Sequence, residues 1–397
     1  MKFLKNLALG LLSFLLFFSL AIFGFAFMVD STALNPDFVT AELNRLDMSS
    51  LVEELIDIVP PPEIPNLNKV INETITSIEP LVKEQASSAI YSVYDYLLGK
   101  TQNPDLALIL RDTFLSTNFV SSLVDNIDIS SLAGVFLSQQ LAEAIPVEIA
   151  NLDEYIADAI TEAEPSLKEQ IVAAADPVFD YLLMESQTLN ASISLEPLKE
   201  ILRDKLLQAF LESPPPELAT IPQNMRELYF SQFYQEFSEE IPSTFQLDES
   251  VIGTDAPSNI AKALAAAEEV LEQARQYIGY FQLGYTLLIV FMSLLVLGII
   301  LIIRRVKDVT RRLGIPLLTY GAVEYAGIWV AKYFMSEQTP LANIPLLPEV
   351  PPYLEAWMFR FTDNLLHPLE MFSLALLIGG AVLTIVSFVY RRGQSSA

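Results

Sequence analysis

The chain has 397 residues, 52% of them hydrophobic, with 49 acidic and 23 basic side chains for a net charge of −26. It has no cysteine and a single histidine, which excludes thiolate chemistry, iron–sulfur clusters, cysteine-based zinc sites and disulfides. Four apolar stretches, Leu7–Val29, Leu283–Ile303, Leu313–Phe334 and Met371–Tyr390, each reach the roughly 20 residues that carry a helix across a bilayer.

The first stretch follows Lys2 and Lys5. It is longer than a signal-peptide core, and Ser31-Thr32-Ala33 is a poor cleavage site, so it reads as an uncleaved anchor. Other basic residues gather at Arg304, Arg305, Lys307, Arg311 and Arg312, and at Arg391 and Arg392. Lys and Arg near span ends stay on the cytoplasmic side, so all three clusters predict both termini inside. The segment 30–282 and the loop 335–369 are then expected outside the cell membrane. Between Asp30 and Gln282 there are 42 acidic and 12 basic residues. A surface this acidic repels nucleic acid and favours solubility.

Within that segment the chain repeats itself. Phe38–Leu51 matches Phe119–Leu132, Glu79–Gln85 matches Glu164–Gln170, Tyr94–Leu98 matches Phe179–Leu183, and Leu110–Asp112 matches Leu202–Asp204. The order is kept while the offset grows from 81 through 85 to 92, as small loop insertions would make it. A unit of this length exceeds the usual solenoid repeats and reads as a duplicated helical subdomain. The predicted organisation is 1–29 for the anchor, 30–118 and 119–211 for the two repeats, and 212–256 for a connecting helical segment. Residues 257–312 hold a stalk helix, the second span and a basic link. Residues 313–397 hold the third span, an outer loop, the fourth span and a short tail.

The fold class expected is all-α. Leu51, Leu55 and Ile58 share a helical face, as do Val70, Ile71, Ile75 and Ile78. Asp47 and Asp128, each just before Ser-Ser-Leu, read as N-caps. Pro80 and Pro165 suit the first turn of a helix. Pro60–Pro62, Pro146 and Pro214–Pro216 mark junctions, and Leu189–Leu195 alternates as a short strand would. Asp95, Asp180, Arg111 and Arg203 recur in both units and read as ion pairs tying helices within each unit. Tyr229, Phe230, Phe233, Tyr234 and Phe237 form an aromatic stripe expected to pack in a core. From Pro257 an unbroken run of helix formers predicts one helix over about 257–308.

Glu324 is the one acid near the middle of a span. Burying its charge costs about 2.5–3.5 kcal/mol on insertion scales, so it is the candidate intramembrane functional residue, for proton or cation handling. The bland reading is a protonated carboxyl bonded to Ser293, Thr384 or a backbone carbonyl. Lys332 is placed to snorkel to the outer interface. Ala375, Gly379, Gly380 and Ala381 form a small-residue face suited to close helix packing or to an oligomer. In the outer loop, Leu354, Trp357, Met358, Phe361 and Leu365 fall at helical spacing and predict a short helix lying in the interface. Trp357, Phe361 and His367 are its candidate interfacial residues.

No nucleophile elbow, metalloprotease helix, phosphate-binding loop or dinucleotide fingerprint is present. No catalytic residue, cofactor ligand or metal ligand is singled out; carboxylate-pair hydrolysis stays open because acids abound, and the reading preferred is non-enzymatic. The first span, Leu34–Val39, Asp180–Leu183 and Ser192–Lys199 together resemble a group of bacterial multi-pass membrane proteins with a large extracytoplasmic helical part. The resemblance covers mainly 1–215 and implies no activity. The order of spans also resembles the mechanotransmitting permeases of macrolide exporters. It departs from them in lacking an amphipathic helix before the first span and in its all-helical outer part. The expected function is therefore binding or scaffolding in the cell envelope, in contact with the lipid bilayer and with an envelope protein or polymer. The alternatives are a permease-like or mechanotransmitting subunit working with a separate ATPase, or cation or proton handling through Glu324.

Overall fold

A computed structural model describes residues 2–51, 67–130, 152–215, 218–240, 242–303, 305–334 and 352–393. The predicted face carried by Leu55 and Ile58, the prolines at 60–62 and 146, Pro216, Arg304 and the loop 335–351 lie outside them. The first half of the chain forms α1 (Lys2–Ser31), α2 (Pro36–Arg45), α3 (Leu67–Leu97), α4 (Leu106–Asp112), α5 (Thr117–Asn126) and α6 (Leu152–Leu182). Then follow β1 (Ala191–Ser194), α7 (Glu196–Glu212), α8 (Gln223–Glu240), β2 (Thr244–Leu247) and α9 (Glu249–Ile252). Three long helices complete the order: α10 (Ala256–Ile303), α11 (Val306–Phe334) and α12 (Pro352–Gly393). The described residues are thus helical but for one two-stranded sheet. Helices α1, α10, α11 and α12 are long and apolar enough to cross a membrane.

The chain divides into two compact units, one of Met1–Leu46, Val93–Gln102 and Leu271–Ala397, the other of Asp47–Ser92 and Asn103–Val270. In the first, Leu16 and Leu20 of α1 pack with Leu295 and Ile299 of α10 and Tyr320 of α11. Large apolar side chains also cover its outside: Phe14, Phe25, Leu287, Leu301, Val323 and Ile385 are all more than half exposed. Helices apolar all round belong in lipid.

Helices α11 and α12 meet along a glycine seam. A Cβ at Gly321 would stand 2.6 Å from the Leu377 nitrogen and 2.7 Å from the Ser373 carbonyl oxygen. One at Gly314 would stand 2.8 Å from Thr384 Oγ1, and one at Gly380 2.8 Å from the Leu318 Cα. Only a missing side chain lets the two backbones come this close. The packed face of α12 therefore runs through Ser373, Leu377, Gly380 and Thr384. The predicted stripe is displaced from it: Ala375 is exposed and Gly379 has open space where its Cβ would be. Helix α12 also runs unbroken through Pro368, so the predicted interfacial helix and the fourth span are one helix.

In the second unit the core lies among α6, α7 and α8. Ile156 and Ile160 of α6, Leu202, Leu206 and Phe210 of α7, and Phe230, Tyr234 and Phe237 of α8 are buried together. The aromatic stripe is part of this core, with Phe230 5.7 Å from Phe210 and 5.8 Å from Tyr234 between ring centres. Burial pushes the Tyr234 phenol up to about 12, and its hydroxyl donates to the Lys199 carbonyl at 2.5 Å. The predicted strand exists as β1. Its antiparallel partner β2, with Ala191 opposite Leu247 and Ser194 opposite Thr244, is too short to announce itself in sequence. The Ser194 N–H, left over from the ladder, donates to Gln170 Oε1 of α6 at 2.5 Å.

Corresponding elements match in detail. Helices α2 and α5 have 10 residues each. Each is capped by a side chain, Asn35 accepting from the Asp37 N–H and Ser116 from the Phe119 N–H. Helices α3 and α6 end at Leu97 and Leu182, the same distance beyond the internal prolines Pro80 and Pro165. The sequence placed these prolines in first turns, but both helices continue through them. A salt bridge straddles each, Glu79–Lys83 at 2.5 Å and Glu164–Lys168 at 2.8 Å. Beyond α3, the Lys100 and Thr101 N–H groups donate to the Asp95 carbonyl. Beyond α6, those of Glu185 and Ser186 donate to the Asp180 carbonyl. Both turns pass through a left-handed residue, Gly99 at φ +79° and Met184 at φ +61°.

Candidate functional site

Two places in the first unit hold the polar groups that its apolar helices would not by themselves require. One is Glu324, on the face of α11 that meets α1. The Tyr320 hydroxyl, one turn earlier on the same helix, stands beside its carboxyl. Gly24 of α1 makes room for the pair: a Cβ there would lie 2.8 Å from the Tyr320 hydroxyl and 3.1 Å from Glu324 Oε1. Phe17 of α1 stands edge-on to Tyr320 at 5.7 Å. The other carboxyl oxygen, Oε2, is buried and has no partner among the described residues.

The partners expected from sequence are engaged elsewhere. Ser293 donates to the Ile289 carbonyl and Thr384 to the Gly380 carbonyl, each within its own helix. Tyr320 was legible only as the residue four before Glu324, a spacing that puts both on one face.

The second place lies among α2, the last turn of α11 and the first half of α12. Glu42 is 3% exposed, and a buried carboxylate must be paired to be tolerated. It is paired twice: with Arg45 one turn on, and with Asn364 of α12, whose Nδ2 donates to Oε1 at 3.0 Å. Trp357 brings its indole nitrogen to 3.5 Å from the Glu42 carbonyl oxygen and stacks on Phe361 at 5.4 Å. Phe361 in turn meets Phe38 of α2 at 6.0 Å.

On the other side, Lys332 of α11 does not reach freely toward an interface. Its Nζ is held by Asp363 at 2.8 Å and Glu370 at 2.6 Å, both on α12. Between these clasps opens a cavity of about 600 Å³, lined by Arg45, Lys332, Trp357, Arg360, Asp363 and Asn364 among others. The structure thus brings Trp357 and Phe361 together. His367 belongs to neither place; it is exposed and makes no hydrogen bond among the described residues.

Among the described residues the repeated Asp and Arg side chains do not pair with each other within their own repeats. Arg111 reaches Asp180 at 2.6 Å and Glu185 at 2.8 Å, and Asp180 holds the guanidinium above its usual range. Asp95 pairs instead with Lys100 at 2.7 Å. Asp47 does cap, accepting from the Ser50 N–H at 3.1 Å and from the Ser49 and Ser50 hydroxyls. Those bonds hold its carboxyl down at about 2. Among the described residues no group of three or more His, Cys, Asp and Glu side chains could hold a metal ion.

The arrangement therefore offers one apolar-walled carboxyl beside a tyrosine hydroxyl, and one mixed polar and aromatic cavity at the end of a helix pair. Comparison with protein-family models, with curated proteins and with solved structures returns no match to the chain.

Proposed function

We propose that the protein is an integral membrane protein that presents a tandemly duplicated, acidic helical region on the outer side of the cell membrane. There it acts as a non-enzymatic binding or scaffold element of the envelope. The observation that carries this reading is the correspondence of α2 with α5, alike in length and side-chain cap, and of α3 with α6, alike in internal proline and closing turn. Sequence similarity in register at the same positions supports descent from one unit.

Sidedness rests on the basic residues. Lys307, Arg311 and Arg312 begin α11 just after α10 ends, and an even number of spans returns the chain to the side where it began. The acidic stretch between α1 and α10 is then outside.

The absence of native cysteine makes the test direct. Single cysteines replacing Leu108, 52% exposed, and Lys307 are labelled in intact cells with a membrane-impermeant maleimide. Position 108 is expected to label at once and position 307 only after permeabilisation; the reverse order overturns the topology. For the binding role, photoreactive residues at Leu108 and Val270 in native membranes are expected to yield discrete adducts with an envelope component. Adducts with lipid alone, or none, overturn it.

A second reading is favoured by one specific observation, the buried and unpartnered Oε2 of Glu324. Intramembrane acids of this kind serve proton or cation transfer. Glu324→Gln keeps the size of the side chain but cannot exchange a proton. Loss of the protein's cellular role with unchanged folding supports this reading, and wild-type behaviour removes it.

A further inference from the structure

We propose that the cavity among α2, the end of α11 and the first half of α12 binds the phosphate-bearing headgroup of a membrane lipid, with Arg360 as its anion-binding cation. The three basic and three acidic side chains around the cavity balance in number but do not pair evenly. Arg45 is neutralised by Glu42, and Lys332 by Asp363 and Glu370. Arg360 also lines the cavity, yet it forms no ion pair among the described residues. Its one hydrogen bond is from Nε to the Ala356 carbonyl of its own helix, long at 3.4 Å. A guanidinium carries five donors in a planar fork that matches a phosphate or carboxylate. Among the described residues four of these five make no hydrogen bond, beside a space large enough for a ligand.

The rest of the lining says which anion. Trp357, Phe359 and Leu366 give the cavity an apolar share that a free inorganic ion would not need. At about 600 Å³ the space falls in the usual range for organic ligands. Depth sets the direction of entry. The lining residue Leu366 lies about 8 Å before Met371, where the apolar run of α12 begins, and Arg360 about 16 Å before it. The Leu366 end of the cavity thus adjoins the headgroup layer, and a headgroup entering there extends toward Arg360. An amphipathic anion at headgroup depth is a phospholipid. The inference rests on the four helices spanning a membrane and is independent of the duplication and of the outer partner.

The chain has two tryptophans, and one of them lines the cavity. In the full-length protein carrying Trp329→Phe, Trp357 is the only indole and reports on the site. The detergent-solubilised protein is titrated with dioleoyl phosphatidylglycerol, with dioleoylglycerol, which lacks the phosphate, and with inorganic phosphate. A saturable change in Trp357 emission is expected with the phospholipid, and little with the other two. Adding Arg360→Gln is expected to weaken the response by about tenfold or more, the scale of a lost charge-assisted hydrogen bond. Arg360→Lys, which keeps the charge, should stay within severalfold of the parent. Arg360 is exposed on the helix, and unchanged circular dichroism of each variant excludes misfolding. Equal response to dioleoylglycerol, unchanged affinity in Arg360→Gln, or no response to any probe overturns the proposal. Inorganic phosphate matching the phospholipid in affinity shows a free-anion site and overturns the lipid assignment.

Discussion

The glycine seam makes the sharpest prediction, because of two adjacent glycines of α12 one faces α11 and the other open space. Gly380→Ala places a methyl against backbone of α11, with the Leu318 Cα at 2.8 Å and the Gly314 carbonyl oxygen at 2.9 Å. Ordinary contact needs about 3.5–4 Å, so the helices must part locally by roughly 1 Å. A gap of that size forfeits up to half of each dispersion contact, and a well depth of about 0.1–0.2 kcal/mol over some 40 facing atom pairs gives a loss of about 3 kcal/mol. Backbone cannot rotate out of the way as a side chain can. Gly379→Ala meets nothing within 4 Å and removes the helix penalty of glycine, so it should be neutral or stabilising by up to about 1 kcal/mol. Both variants are measured in the full-length protein by unfolding in mixed micelles of rising dodecyl sulfate content, with near-ultraviolet circular dichroism as the signal. A shift of similar size and sign for the two positions would refute the seam. So would a greater loss for Gly379→Ala.

Further outcomes follow from the second unit. A double-mutant cycle on Arg111→Gln and Asp180→Asn should give a coupling of about 0.5–1 kcal/mol, since both side chains are about one-third exposed and solvent screens them; a coupling of zero removes the cross-repeat tie. Met184 occupies a left-handed conformation that costs a non-glycine residue about 1–2 kcal/mol. Part of that is recovered in Met184→Gly, which should raise stability by about 0.5–1 kcal/mol in thermal unfolding, and a lower melting temperature would contradict it. Asp47→Ala should cost about 1 kcal/mol, as lost caps do. Because its carboxyl is held at about 2 in the folded chain against 3.8 in the unfolded, its contribution is full above about pH 4. It fades as the pH falls toward 2, so the difference between Asp47→Ala and wild type should vanish over that window.

The apolar runs were readable because a bilayer demands about 20 consecutive residues, and no tertiary contact can relax that. The stalk run from Pro257 was readable because Ala, Glu and Leu leave the backbone no better option than helix. Pro80 and Pro165 misled because a proline at a first turn and a proline inside a long helix look alike in sequence. What decides between them is packing on both sides, which carries α3 and α6 through the defect. The seam was half legible: Gly380 was noted, but small residues occur on several faces of α11 and α12, and only backbone approach picks out Gly314, Gly321 and Gly380. Glu324 drew attention for its charge, while its neighbour Tyr320 and the space left by Gly24 involve residues ordinary in a membrane helix. Arg111 was assigned to its own repeat because similarity between repeats says what is alike and nothing about which copy a side chain reaches.

On the proposed duplication, the positions where the copies differ are as informative as those where they agree. Phe38 and Phe119 correspond, and both meet aromatic rings, Phe361 and Phe114 respectively. Glu42, however, corresponds to Leu123, and Arg45 to Asn126. In α5 the end of the helix is held through backbone carbonyls, with Lys168 donating to Asp125 and Ser77 to Asn126. In α2 a carboxylate is buried instead. A leucine there would be cheaper in free energy, since taking a carboxylate out of water costs several kcal/mol before its partners repay it. General packing therefore does not explain Glu42, whereas a specified contact with Asn364 does. That contact holds α2 against α12 as one wall of the cavity that Arg360 lines. If the two copies began alike, this wall arose when one of them exchanged an apolar docking face for a polar one.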